Sequence, residues 1–260
     1  MSAYKTYATI IYVTETERQA VMRIFDWKPF KMPNDSQQYL EAFVKRDGKK
    51  LRVISAQQDE MGMTASATLT MKMIHHFTPE YVIMPGIAAG TGEIRNSDEQ
   101  IYGDVVMANS VWNFSNGKFV SPHKAEIVFG EIGFMPRPTA VNFTGDYLEK
   151  ISKHIVSDKN EFHIHCGPLA SGTAVVANKT ILKKQVITSF DDTEGVEMEG
   201  YGVAYAATHS FEPKPHVIIA KSICDFANER KDDRFQKFAA YTSCGFVKDL
   251  LENVLEYTGE

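Results

Sequence analysis

The chain has 260 residues, 43% of them hydrophobic, and 28 Lys and Arg stand against 33 Asp and Glu for a net charge of -5. That length supports one large core or at most two domains, and the acidic balance gives no reason to expect a nucleic-acid backbone as partner. No apolar run approaches the roughly 20 residues of a membrane helix, so no membrane partner is expected. Cys166, Cys224 and Cys244 form no close-spaced motif and read as reduced thiols of a cytoplasmic protein.

The N-terminal MSAYKTYATIIYV has too short an apolar stretch for a signal peptide and no small-residue cleavage site after it. Tyr7 to Val13, rich in β-branched and aromatic residues, predicts a first buried strand. Thr14 can cap a helix starting near Glu15, and Glu17 stands three residues on, as in a capping box. QYLEAFVKRDGKKLRVISA predicts a hairpin turning at Asp47-Gly48. Ala67, Met71, Ile74 and Phe77 repeat at helical spacing, and that helix ends near Pro79. YVIMP predicts a buried strand. PGIAAGTG, Pro85 to Gly92, then reads as a loop of small residues, and the polar Gly90 to Glu99 as a mobile loop without chemistry of its own. Asp104 to Trp112 predicts another strand.

From Asn113 to Phe143 the periodicity is weak and Pro122, Pro136 and Pro138 interrupt it. A long excursion is predicted, of a kind that is uncommon and often functional. Gly145 to Ser157 predicts a helix. His163 to Ala170 predicts a strand running into SGTAVV, and His216 to Ser222 one running into ICDFANER. Phe235, Phe238, Thr242, Phe246, Leu250 and Val254 mark a long closing helix. Gly245 inside it should cost roughly 1 kcal/mol against alanine, which argues for a packing reason. Strands alternating with helices, without a shift in composition, predict one α/β domain over residues 1–260.

The stretch VEMEGYGVAYAA, Val196 to Ala207, places two glutamates before a run of small residues. Val196 and Met198 share one face of an extended segment, Glu197 and Glu199 the other. Two readings stand side by side: the glutamates complement a helix N-terminus, or they face a ligand. In open α/β sheets ligands bind beyond the carboxyl ends of strands. TETERQA, PGIAAGTG, SGTAVV, ICDFAN and VEMEG occupy such positions and offer Glu15, Glu17, Glu197, Glu199 and Asp225. Several acids at separate strand ends suit a cationic transition state, such as the oxocarbenium-like sugar of glycoside cleavage. His163 and His165 of HIHC point the same way along a strand, but a structural zinc site wants four ligands in paired spacings and the sequence holds no second cluster. No metal and no cofactor is expected. His75-His76 reads as a helix C-terminus favoured by the dipole, and Cys224 as a small buried thiol.

VEMEGYGVAYA followed by AKSICDFAN, with PGIAAGTG and GPLASGTAVV upstream, resembles the nucleoside phosphorylase and nucleosidase superfamily, and within it the methylthioadenosine/S-adenosylhomocysteine nucleosidases. The likeness runs in the same order from Thr9 to Leu255. It implies a three-layer αβα fold with a central mixed, partly barrel-like sheet, a purine nucleoside as ligand, and a homodimer. Position by position, Met198 and Glu199 match the residues that hold the ribose, with Glu199 accepting from the 2′ and 3′ hydroxyls. Asp225 matches the acid that protonates purine N7. Glu17 matches the glutamate that binds and activates the attacking water, beside its competing role in the capping box. Phe235 matches an aromatic covering the purine or the 5′ substituent, Val176 a backbone contact to the base, and Met61 an apolar position of the same pocket.

Some positions depart from that pattern. Ile87, Ala88 and Ala89 stand where these nucleosidases carry Ser-Ala-Gly, with Ala89 still assigned to the substrate. Val175 and Val176 replace Phe-Ile beside the purine, Lys221 replaces an arginine, and Cys224 replaces the serine before the acid. Phosphorylases of this fold need fixed cations. Here Met84 and Pro85 precede Gly86, and Arg18 lies among Glu15 and Glu17, which would repel phosphate. The resemblance with this charge pattern implies hydrolysis of a purine nucleoside, most simply a 5′-modified adenosine. A phosphorylase of the same fold and a non-catalytic nucleoside sensor are the alternatives.

Overall fold

A computed structural model of the chain describes residues 3–92, 100–157, 162–228 and 233–259. The polar stretch expected at Gly90 to Glu99 therefore falls mostly outside the described residues, as does the end of ICDFANER. The first strand, β1 (Thr6–Tyr12), is buried at every position. Its Ile10 and Tyr12 pack into one core and Ile11 into another, so the apolar run is continuous because both faces are covered. Thr14 then caps α1 (Glu15–Ile24), its hydroxyl accepting from the Glu17 amide while the Glu17 carboxylate reaches back to the Thr14 amide. An edge strand that the sequence does not announce, β2 (Lys28–Lys31), pairs with β3 (Gln38–Arg46). Pro29 and its flanking lysines suit an unpaired outer edge. The hairpin from β3 to β4 (Lys49–Gln57) turns at Asp47 and Gly48, both with positive φ.

Helix α2 (Met63–Phe77) buries Ser66, Leu69, Thr70, Met73, Ile74 and Phe77. Ala67 and Met71, expected on the core row, are only half-buried. The face is rotated because the Ser66 hydroxyl donates to the Glu199 carbonyl at 3.0 Å, which turns its row inward. The next strand corrects a second expectation. PGIAAG is not a loop: β5 runs from Pro79 to Gly90. After it come β6 (Val105–Asn113), then β7 (Gly117–Val120), β8 (Ile127–Phe129) and β9 (Ile132–Pro136), which form a separate antiparallel sheet in the order β7-β9-β8. The predicted excursion is thus built around its own small sheet, and β10 (Thr139–Asn142) returns antiparallel to β6. Helix α3 (Asp146–Ser157) and β11 (Ile164–Ser171) follow. A helical turn at Lys179–Ile181 continues as a π-turn at Leu182–Ile187. The chain closes with β12 (Gly195–Glu197), α4 (Gly200–Thr208), β13 (His216–Asp225) and α5 (Gln236–Asp249), which ends in a π-turn at Leu250–Val254.

Five strands close on themselves. β5 pairs parallel with β13 and antiparallel with β12, β13 pairs antiparallel with β6, and β6 and β12 both pair parallel with β11. PGIAAG is therefore held between two neighbours: Pro85 to Ala89 lie against Ala220 to Asp225, and Ala89 and Gly90 against Val196 and Gly195. Small side chains permit this approach. From β5 the sheet extends outward through β1, β4, β3 and β2. Helices α1, α3 and α5 contribute to the core on one face, α2 and α4 to the core on the other. This is the three-layer α/β arrangement with a barrel-like centre that the sequence implied.

Gly245 departs from its expectation. A Cβ placed there would meet nothing within 4 Å, so nothing in this chain packs against it. Gly245→Ala should stabilise the fold by about 0.5–1 kcal/mol through helix propensity and a less entropic unfolded chain. Thermal unfolding should show a rise of about 2 °C; a drop in Tm would mean that the missing side chain has a steric purpose.

Candidate active site

The carboxyl ends of the central strands surround a cavity of about 170 Å³. β1 delivers Val13 and Thr14, β5 delivers Ile87 to Ala89, β12 leads to Met198 and Glu199, and β13 ends on Cys224 and Asp225. Of the residues singled out from the sequence, Glu17, Met61, Ala89, Val176, Met198, Glu199 and Asp225 all line it. Met61 is 62% exposed, so it is a residue of the cavity's mouth and not of the core. Phe235 does not line the cavity. Its ring stacks on Tyr102 with centroids 4.0 Å apart and planes 9° apart, and its neighbour Gln236 reaches the cavity instead.

Glu17 is 2% exposed; it closes the capping box and also lines the cavity. Oε2 accepts from the Val13 amide at 3.0 Å, the Thr14 amide at 2.9 Å and the Thr14 hydroxyl at 3.2 Å. Oε1 accepts from the Ile87 amide at 3.1 Å. The capping box thus fixes the carboxylate across the gap between β1 and β5. Gly86, with φ of 152°, makes this approach possible: a Cβ there would strike Glu17 Oε1 and lie 2.8 Å from Lys221 Nζ. Loss of the hydroxyl at Ile87 leaves the backbone donor in place.

The two glutamates of VEMEG both line the cavity and differ in what their carboxylates hold. Glu197 is the helix-mouth residue. Its carboxylate accepts from the Glu199 amide at 2.9 Å, from the Gly200 amide at 2.8 Å and from the Ser171 hydroxyl, so it satisfies the first donors of α4. Glu199 turns its carboxylate away from its own helix. Oε1 accepts from the Gly62 amide at 2.8 Å, at the start of α2, and the group lines the cavity. Burial pushes the Glu199 pKa up to about 7, helped by Glu197 and Glu17 and opposed by Lys221 and the Gly62 amide.

Lys221 is the cation among these acids. It is 1% exposed, with Nζ 3.7 Å from Glu197 Oε2. Burial works against its charge, but Glu17, Glu197 and Glu199 together outweigh it and raise the pKa. The sequence marks Lys221 only as a substitution, and gives no sign that its ammonium faces three carboxylates from separate elements. Ala174 and Gln236 also line the cavity without a sequence signal of their own, as does Thr14, which the sequence marks only as a cap.

Asp225 is 4% exposed. Oδ1 accepts from the Ala227 amide at 2.8 Å, and the buried Cys224 thiol lies 3.5 Å from Oδ2. Ala227 holds a φ of 50°, a conformation uncommon for a residue with a side chain, which lets the chain curl around the carboxylate. Ala89, Val176 and Val196 belong to an apolar cluster with Trp112 and Phe114, forming an aliphatic wall where the resemblance implied an aromatic one. His165 of HIHC meets Asp104 at 3.0 Å, and no metal-holding cluster of acids, His and Cys occurs among the described residues.

The raised pKa of Glu199 has a consequence for stability. An ordinary glutamate titrates near 4.5 and this one near 7, so the folded chain holds a proton that the unfolded chain releases. Stability is highest below pH 4.5 as far as this group is concerned and falls as the pH rises through 7, by on the order of 3 kcal/mol. Glu199→Gln should remove that fall. Urea denaturation of both proteins at pH 5 and pH 8 checks it, and an unchanged pH dependence in the variant would assign the effect to another group.

A family model for the phosphorylase superfamily matches residues 9–256. The chain is 31% identical over 234 residues to the uncharacterized protein y4jS of Sinorhizobium fredii, covering 85% of this chain and 54% of that protein. It is 27% identical over 197 residues to a 5′-methylthioadenosine/S-adenosylhomocysteine nucleosidase of Bacillus velezensis, covering 75% of this chain and 78% of that one. It is 23% identical over 271 residues to the ATP nucleosidase Cap17 of Escherichia coli, covering 94% of this chain and 50% of that protein. The chain thus spans about half the length of two of these relatives. Its fold superposes on S-adenosylhomocysteine nucleosidase from Streptococcus pyogenes in complex with 5-methylthiotubericidin, with a TM-score of 0.75 at 21% identity over 98% of this chain and 99% of the other. With the match extending from β1 to the end of the closing helix, the chain belongs to the phosphorylase superfamily.

Proposed function

We propose that the chain is a nucleosidase: a hydrolase that cleaves the N-glycosidic bond of a purine nucleoside, a 5′-modified adenosine of the methylthioadenosine or S-adenosylhomocysteine type. The observation that carries this reading is the convergence of Glu17, Glu199 and Asp225 on one cavity whose described lining contains neither lysine nor arginine. Asp225 gives its proton to purine N7, and the bond from C1′ to N9 breaks as the base leaves. Glu199, with Met198 beside it, holds the sugar hydroxyls and opposes the positive charge that develops on the ring. Glu17 binds a water and takes its proton as the oxygen captures C1′, yielding free base and free pentose. Val176 and Ala89 face the base.

Electrostatics favour water over phosphate. Phosphate carries a charge near -2 at neutral pH and needs cations or donors. Lys221 is enclosed by glutamates and Arg18 is paired to Glu15 at 3.2 Å. The same argument favours an uncharged 5′ substituent over a triphosphate. Met61 at the mouth suits an alkylthio group. Asp225→Asn should leave nucleoside binding in place and slow turnover by roughly two to four powers of ten. Incubation with methylthioadenosine, adenosine, inosine and ATP, with and without phosphate, identifies the product. Free pentose at a rate indifferent to phosphate is expected. Pentose 1-phosphate would mean a phosphorylase, and binding without product a sensor.

The same reading includes a cytoplasmic homodimer. The small sheet β7-β9-β8 exposes Phe119 at 74% and Ile132 at 55%, an apolar surface that suits a partner subunit. Its free cysteines fit a reducing compartment. Light scattering should show a dimer at micromolar concentration; a fully active monomer would remove this part of the reading.

A further inference from the structure

Gly62 has a backbone conformation that demands an explanation. Its φ of 104° and ψ of 168° lie in a region that is essentially restricted to glycine and is held only where the surroundings impose it. Nothing lies within 4 Å of where its Cβ would be, so glycine is not there to make room. Two further contacts hold the same place. The Ser66 hydroxyl, one turn along α2, donates to the Glu199 carbonyl at 3.0 Å, and a Cβ on Gly202 of α4 would strike the Met63 carbonyl. The first turns of α2 and α4 are therefore clamped together around the turn that carries Glu199. α2 has no side-chain cap and no acid in its first turn. The carboxylate at its N-terminus comes from Glu199, 137 residues away in sequence.

We propose that Gly62 is a positioning residue for this site: its amide, aimed by a conformation only glycine adopts readily, fixes Glu199 Oε1 and thereby presents Oε2 to the sugar hydroxyls. No described residue donates to Oε2, so the two oxygens have separate tasks. An unanchored carboxylate would be free to rotate. The groups facing it are Glu17 from α1, Glu197 from the end of β12 and Lys221 from β13. Among these influences the Gly62 amide and Lys221 favour the ionised form, the form that can accept from two hydroxyls.

The proposal rests on the nucleosidase reading for its effect on turnover, but not for its effect on Glu199 itself. Gly62→Ala has room for its methyl group and is disfavoured by backbone conformation alone. In the ligand-free protein, carboxyl NMR should show the Glu199 midpoint moving upward in Gly62→Ala and staying in place in Ser66→Ala, which loosens the clamp without touching the carboxylate. With methylthioadenosine, Gly62→Ala should lower kcat by on the order of ten- to a hundredfold, more than it changes KM, and move the acid limb of the pH profile upward. An unchanged midpoint, or an equal shift in Ser66→Ala, would overturn the proposal. If the midpoint moves while the wild-type protein hydrolyses no nucleoside, the positioning stands and the nucleosidase reading falls. Should Gly62→Ala not fold, hydrogen exchange at the Gly62 amide in the wild-type protein and in Glu199→Ala decides the matter. Faster exchange without the carboxylate supports the bond, and equal exchange refutes it.

Discussion

A single buried ammonium organises this site. Lys221 extends from β13 into a space entered by Glu17 from α1, Glu197 from β12 and Glu199 from the mouth of α4. One cation cannot neutralise three carboxylates in a desolvated setting, and the surplus negative charge must be held by other means. Backbone amides supply them: Val13, Thr14 and Ile87 for Glu17, Glu199 and Gly200 for Glu197, and Gly62 for Glu199. A carboxylate with several amide donors remains ionised at little cost. Glu199 has a single amide donor, and burial raises its pKa. Removal of the ammonium would leave the acids facing one another in low dielectric, the costly way to break a buried ion pair.

This arrangement constrains the backbone around it. Gly86 permits Glu17 and Lys221 to meet above β5, and the positive φ of Gly62 aims an amide that a regular helix start would direct elsewhere. Both features weaken local structure, since glycine is the most entropic residue to order. Gly86 lies within β5 next to Ile87 of the cavity wall, and Gly62 at the start of α2 next to Met61. The packing that holds them is remote: the continuous cores above and below β1 and the alanine-rich contact between α2 and α4. Rigid elements thus hold the acids in place, and the loops between them only complete the walls.

The electrostatics also bear on the chemistry proposed. A cavity with surplus negative charge attracts a developing sugar cation and repels an anionic nucleophile. In the proposed reaction the charge peaks at the transition state, so an acid such as Glu199 gains its strongest interaction there and not with the neutral substrate. In the proposed reaction the aliphatic wall of Ala89, Val176 and Val196 would give the base shape and dryness without an aromatic surface to stack on. Discrimination between bases would then fall more on backbone contacts and on Asp225.

Much of this was legible in the sequence. Thr14 with Glu17 three residues on and Asp47-Gly48 between two alternating runs are local signals, and both appear in the structure as read. The acids at strand ends were legible because their spacing reports which element carries them. What local patterns could not decide depended on partners distant in sequence. PGIAAG is strand because β12 and β13 flank it, and its own residues look like a loop. Glu197 and Glu199 alternate in sequence as if they shared a face, yet one caps α4 and the other turns to the amide of Gly62. Phe235 stacks on Tyr102 because the end of one loop meets the start of α5. The sequence alone determined the acids available and those elements whose signals are local, because these follow from neighbours along the chain. Only the tertiary structure decided which acid caps its own helix, which reaches the amide of another and how one ammonium balances them, because charge and hydrogen bonding act through space.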